Sequence, residues 1–326
     1  MQGKEASEQE ANCKVNAGID VGKDWLDVHV LPGGATLRLP NTNEGIRRLK
    51  RWLARFAPAL VVVEATGKWH RPVRRSLAAS AIPVAVVDAF RVRMFAKAQG
   101  ILAKTDRLDA RVLAQFAAVM APPVRAAAPE RLEQLRELVV ARASAVEQQS
   151  ALKNQLAAAT VKFLQRQLQR RIERADGDIA ALDAAILKRI KVDEGLARRY
   201  AILTSIAGIG FVAAATLLAS LPELGSSTNK QIAMLAGLAP IADQSGQRDS
   251  VRVVWGGRAS VRRILYLAAL SATRFNADMK AYYQRMIAAG KPAKLAIIAV
   301  ARKLAVLANA LVSQDRTWLP TSPKYA

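Results

Sequence analysis

The sequence predicts an α/β domain followed by an all-α region, and three observations carry that prediction. Residues 15–88 alternate short aliphatic, β-branched runs with helical patterns. Residues 130–175 contain neither Gly nor Pro and are rich in Leu, Ala, Gln, Glu and Arg, which favour helix. From about residue 196 onward, apolar residues recur at helical spacing with Lys and Arg between them. A chain of 326 residues that is 52% hydrophobic can build more than one core.

In order, 15–21 (VNAGIDV) and 25–31 (WLDVHVL) read as strands joined by a tight Gly22-Lys23-Asp24 turn, with 35–39 a third strand of the meander. Thr42 or Asn43 then caps a helix bearing Ile46, Leu49, Trp52, Leu53 and Phe56. The uninterrupted run 59–64 (ALVVVE) suits a strand buried on both faces. A helix follows over about 69–80, then a second buried strand, 83–88 (PVAVVD), then further helices. Three strands followed by alternating helices and strands is the succession of an RNase H-like mixed sheet. Ala121-Pro122-Pro123 breaks the helical pattern and closes this domain, 15–125.

Acids fall at telling places in it. Asp20 lies in the first strand, Glu64 ends the fourth, and Asp106 and Asp109 stand three apart at a helix start, on one face. Ligands of open α/β sheets gather at the carboxyl ends of strands, so the four could form a carboxylate cluster holding divalent metal for phosphodiester chemistry. The plain alternative for Asp106 and Asp109 is a helix cap and a first-turn acid. Asp24 fits a turn. Asp27 shares the side of Trp25 and is expected to be solvated. Asp88 remains a possible extra ligand. Cys13 is the only cysteine and His29 and His70 the only histidines, so thiolate and histidine-rich metal sites are excluded. Magnesium or manganese in a reducing compartment is the expected pairing.

Residues 126–195 read as one long helix, a turn near Asp176-Gly177-Asp178, and a return helix. Leu132, Leu135, Leu138, Ala145, Leu152, Leu156, Ala159 and Phe163 make a heptad seam broken by Arg142 and Gln149. This helical coiled-coil insertion serves either intramolecular packing or dimerisation. Arg166, Arg170, Arg171 and Arg174 cluster toward the expected tip.

In the region 196–326, Gly208-Ile209-Gly210 reads as a helix-hairpin-helix turn or a plain helix–helix turn. Residues 237–248 (GLAPIADQSGQR) read as a polar loop holding Ser245. No histidine is near enough in sequence to make Ser245 part of a hydrolase triad. Lys plus Arg number 49 against 26 Asp plus Glu, a net charge of +23. That surplus points to a polyanionic partner. From Gly246 onward, fourteen Lys or Arg face three Asp, with Tyr and Trp interleaved. Arg248, Arg258, Arg262, Arg263, Lys291 and Lys294 are the candidate nucleic-acid contacts there. Neither a basic amphipathic surface helix nor a long uncharged apolar run is apparent, so no membrane role is expected. Residues 1–14 do not resemble a signal peptide and are expected to be disordered.

GIDVGK around Asp20, VEATG around Glu64 and KTDRLDA around Asp106 and Asp109 resemble the DEDD transposases of bacterial insertion sequences, which have a RuvC-like nuclease domain and act as bridge-RNA-guided recombinases. GLAP, QSG, GGR at 256–258, RRILYLAALSATR and GKPAKLAIIAVARKL follow the pattern of that family's mostly helical transposase domain. The resemblance implies Ser245 as nucleophile, forming a phosphoserine on DNA, with Ser250 and Ser260 as alternatives outside QSG. It implies Asp20, Glu64, Asp106 and Asp109 as ligands of Mg2+ or Mn2+, acting with the serine at a composite site. It further implies a non-coding guide (bridge) RNA, donor and target DNA, a homodimer or tetramer, and a bacterial, cytoplasmic, nucleoid-associated location. Asp88 stands where the family pattern has an amide residue. The alternatives are a RuvC-like nuclease or junction resolvase in which Ser245 is only a turn residue, and a non-catalytic nucleic-acid-binding protein. A sugar-kinase reading of GIDVGK is opposed by the charge and by the missing second Gly-rich phosphate loop.

Overall fold

The computed structural model describes residues 14–65, 67–101, 106–126, 129–241, 244–245, 248–249 and 253–319, and only the backbone of 106, 107, 241, 244, 245, 248, 249 and 253. The expectation for the N-terminus and the Ser250 alternative fall outside these residues, Lys14 apart. The chain falls into two compact units, 1–128 and 129–326.

In the first unit, β1 (Asn16–Val21), β2 (Trp25–Leu31) and β3 (Thr36–Pro40) form an antiparallel meander. β4 (Leu60–Glu64) pairs parallel to β1, and β5 (Val84–Val87) parallel to β4. The resulting order, β3-β2-β1-β4-β5, is that of an RNase H/RuvC-like mixed sheet. Alternate residues of each strand enter one of two cores. Ala17, Ile19, Leu26, Val28, Val61 and Val63 pack with α1 (Asn43–Ala54) and α2 (His70–Ala78), through Ile46, Leu49, Leu53, Val73 and Leu77. The Thr42 hydroxyl caps α1, accepting from the Gly45 amide at 3.2 Å. On the opposite face, Leu60, Val62, Ala85 and Val87 pack with α3 (Ala89–Ala98) and α4 (Asp106–Met120), through Val92, Ala96, Leu113 and Phe116.

The second unit opens with two long helices, α5 (Glu130–Ala158) and α6 (Lys162–Val192). The turn falls at 159–161, not at Asp176-Gly177-Asp178, which lies inside α6. A glycine in a helix interior costs about 1 kcal/mol, and side chains across the pair hold this segment helical. Gln149 donates to the Asp176 carboxylate, and Arg142 is ion-paired with Asp183, with Nη2 to Oδ2 at 3.2 Å. The two residues that break the apolar seam thus meet acids of the antiparallel helix. Leu135, Val139, Ile186 and Ile190 are buried at the base of the pair, and Leu152, Leu168 and Ile172 form a separate cluster farther out.

The remaining core is helical: α7 (Glu194–Ser205), α8 (Phe211–Ser220), α9 (Asn229–Leu235), α10 (Ala259–Phe275), α11 (Ala277–Ala288) and α12 (Ala293–Ser313). α12 is long and apolar enough to cross a membrane by length and composition, although Lys294, Arg302 and Lys303 interrupt it, so no long uncharged run is present there. Its apolar face is nevertheless part of this core, with Val300, Leu304, Ala308 and Leu311 buried. Buried Asn309 accepts from the Gly225 amide at 2.7 Å and donates to the Ser227 carbonyl at 2.9 Å. Such satisfied polar bonding belongs to a core helix.

Candidate active site

The carboxylates are placed by one close approach. Gly18 faces α4, and a Cβ there would overlap the Ala110 carbonyl oxygen and the Ala114 nitrogen and stand 2.7 Å from the Leu113 Cβ. Only glycine lets the helix sit this near the strand. Asp20 lies two residues beyond Gly18 on the same face of β1. Glu64 follows Val63, the parallel partner of Ile19, so Asp20 and Glu64 stand side by side at adjacent strand ends. Asp109 immediately precedes Ala110, and Asp106 is the first residue of α4. The helix start and the two strand ends are therefore tied to the same glycine, within about 7 Å of chain in each direction.

The donors are all carboxylates, which suits magnesium or manganese in kind. Among the described residues, no three His, Cys, Asp or Glu side chains already stand as a metal-binding group; the Asp106 side chain lies outside that set. Asp88 caps α3, its Oδ1 accepting from the amides of Phe90 at 2.9 Å and Arg91 at 3.3 Å.

Asp27 corrects the sequence expectation. It is 5% exposed, not solvated. It is the direct cross-strand partner of Asp20. α4 packs over β2 as well as β1 and covers this face. Like charges directly across a strand pair are unfavourable, and Arg38, the partner of Asp27 on β3, offsets them with Nε 3.8 Å from Oδ2. Alternation puts Asp27 on one face of β2, but nothing in the sequence shows that α4 covers that face. On the same face, burial, and secondarily the Arg111 guanidinium, push the His29 pKa down, so the ring favours the neutral form.

Ser245 does not lie in a plain loop. β6 (Pro240–Ile241) pairs antiparallel with β9 (Val253–Val254), and β7 (Gln244–Ser245) with β8 (Arg248–Asp249). Ser245 is the backbone partner of Arg248. At the foot of this ribbon, Gly237, at φ +65°, packs against Gly256 and Gly257, where a Cβ on Gly237 would overlap the Gly256 carbonyl oxygen. The GLAP and GGR segments thus meet each other and set where the ribbon leaves the helical core. Ser260 lies in the first turn of α10.

Known proteins match both units. Residues 17–164 match the DEDD transposase model of IS110, and residues 200–284 match the transposase model of the IS116/IS110/IS902 family. The chain belongs to the IS110 family of transposases. The pilin gene-inverting protein of Moraxella bovis is 27% identical over 315 residues, covering 93% of this chain and 97% of that one. An uncharacterized 43.6 kDa protein of insertion element IS110 from Streptomyces coelicolor is 32% identical over 105 residues, covering 31% of this chain and 26% of its own. T. thermophilus RuvC, solved with a Holliday junction substrate, covers 33% of this chain and 96% of its own at 19% identity and a TM-score of 0.26. The RuvC-like assignment rests on the strand order rather than on that overlap.

Several basic candidates of the transposase are engaged within its own second unit. Arg258 holds Glu223 through two bonds of 2.6 Å and donates to the Ser220 carbonyl at 2.9 Å. Arg262 donates to the Gly256 carbonyl at 2.6 Å, bracing the ribbon's foot. Arg263 pairs with Glu147 of α5 at 2.5 Å, both side chains being exposed. Lys291 and Lys294 are exposed around the start of α12, and only the backbone of Arg248 is described. Arg166, Arg170, Arg171 and Arg174 are exposed along α6, beyond the turn at 159–161.

Proposed function

We propose that this transposase cuts and rejoins DNA through a phosphoserine intermediate on Ser245, assisted by divalent metal at Asp20, Glu64, Asp106 and Asp109, with a guide RNA specifying the sites. The observation that carries the proposal is the meeting of the Asp20 and Glu64 strand ends with the start of α4 over Gly18.

Magnesium or manganese at those carboxylates supplies Lewis-acid polarisation of the phosphate and neutralises its charge. The chain's own groups do the rest. The Ser245 Oγ forms a bond to phosphorus, the bond from phosphorus to a deoxyribose oxygen breaks, and the serine proton ends on that leaving oxygen. The phosphodiester is exchanged rather than hydrolysed, so a deoxyribose hydroxyl can reverse the step on another strand without an added energy source. The ribbon carries the nucleophile at a short paired segment, Ser245 opposite Arg248. Donor and target DNA and the guide RNA suit the excess of 49 basic over 26 acidic residues. Handling two duplexes calls for a dimer or tetramer.

The test is cleavage and strand exchange by Asp106→Ala and Asp109→Ala, with nucleic-acid binding measured in parallel and co-purified RNA sequenced. Both variants are expected to lose cleavage and keep binding, and a discrete RNA is expected with the wild type. Normal cleavage by either variant would sink the metal cluster; absence of a discrete RNA would sink the guide.

A further inference from the structure

We infer that Trp25 and Arg38, anchored by Asp27, form a subsite that grips a single strand of DNA at the edge of the carboxylate face. This inference rests on the proposed function for its account of why a strand lies there.

Three observations carry it. Trp25 and Arg38 are on the same face as Asp20, because Asp20 is paired with Asp27 and Asp27 with Arg38 across successive strands. Adjacent strands lie about 4.8 Å apart, which puts Arg38 about 10 Å from Asp20 along the sheet, close to the reach of one or two nucleotides. Trp25 is 48% exposed at the start of β2, a cost for an indole that a partner would remove. Arg38 is not a loose surface cation: buried Asp27 holds its Nε side at 3.8 Å, and its guanidinium lies 5.2 Å from the centre of the Trp25 ring. An arginine fixed from below by a carboxylate and from the side by an indole is pre-organised to bind a phosphate. A half-exposed indole can stack on an unpaired base, and such platforms tolerate any sequence. A chain of net charge +23 supplies the matching long-range attraction.

Asp27 gains a role by this reading. It is a positioning residue that aims Arg38. DNA is the strand committed to, because the proposed reaction is on DNA.

The experiment is binding of a fluorescent single-stranded DNA oligonucleotide to the full chain, in the absence of divalent metal and across a salt series, with an RNA of the same sequence as a second arm. Trp25→Ala is expected to weaken DNA binding about tenfold, and Trp25→Phe to restore most of it. Arg38→Gln is expected to lower the salt slope by about 0.7, the value for one phosphate on a single strand, whereas Arg38→Lys keeps the slope. Asp27→Asn is expected to weaken binding while leaving the slope near that of the wild type. A role confined to stabilising the sheet edge would move the unfolding midpoint and not the slope. Unchanged affinity and slope in folded Trp25→Ala and Arg38→Gln would overturn the subsite, and a loss confined to the RNA arm would overturn the assignment to DNA. Because the binding is read without metal, it is separable from the reaction: normal cleavage by Asp109→Ala would remove the carboxylate reading and leave this result standing.

Discussion

Gly18 of β1 lies directly against the backbone of Ala110 in α4, with no room between them for a methyl group. Two residues on from one and one residue back from the other stand Asp20 and Asp109. The glycine converts a packing contact into the placement of two carboxylates from distant parts of the chain.

Gly18→Ala should therefore destabilise the first unit by about 1–3 kcal/mol, the usual cost of overpacking, and at the upper end because backbone atoms block the methyl. It should also depress cleavage more than Ala17→Gly does, since pushing α4 outward moves Asp109. Urea midpoints with parallel cleavage rates check both. An unfolding midpoint equal to that of the wild type would contradict the close approach.

The α5–α6 pair gives an independent prediction. Removing one partner of the Arg142–Asp183 ion pair leaves the other partly buried, with exposures of 17% and 29% in the intact pair. Arg142→Ala and Asp183→Ala should each cost about 1–3 kcal/mol. Replacing both by leucine should recover most of the loss, because it extends the apolar seam. A double-mutant cycle measures the coupling; strictly additive losses would show that the pair contributes nothing.

That pair also marks where the sequence was legible. The strand order could be read because central strands are continuous aliphatic runs, as in Val61 to Val63, and because Thr42 and the apolar spacing beyond it announce the first helix. Asp20, Glu64 and Asp109 fall where the sequence puts them, in a strand, at a strand end and in the first turn of a helix, because the runs that define those elements are clear. The turn between α5 and α6 could not. Asp176-Gly177-Asp178 has turn composition, but Gln149 and Arg142 bond across to α6 on either side of Gly177, and tertiary contacts decide. Asp27 escaped because alternation assigns it a face but not whether a helix covers that face. The serine ribbon escaped because its strands are two residues long, too short for a period of two to show.

His29 should make stability depend on pH. Its pKa in the folded chain is lowered from the ordinary 6.5, chiefly by burial. The unfolded chain then takes up the proton first, so this contribution is present above pH 6.5 and is lost as pH falls toward the lowered value. Unfolding midpoints measured downward from neutral pH should fall less steeply for His29→Gln. Identical slopes for variant and wild type would contradict the assignment.

Gly237 should matter more to activity than to folding. A side chain there meets the Gly256 carbonyl, and its φ of +65° is strained for any L-residue by about 1–2 kcal/mol. Gly237→Ala should keep the helical core but displace the ribbon that bears Ser245, lowering strand exchange at least tenfold with a modest drop in melting temperature. Full activity in this variant would show that the ribbon's foot does not set the serine's position.

The proposed reaction requires that Ser245 become covalently joined to DNA. The direct measurement is mass spectrometry of the denatured complex after reaction with donor DNA and magnesium, comparing wild type with Ser245→Ala. A nucleotide-bearing peptide containing Ser245 is expected in the wild type, and none in Ser245→Ala. An undiminished adduct in the variant, or hydrolysed ends with no adduct in the wild type, would contradict it.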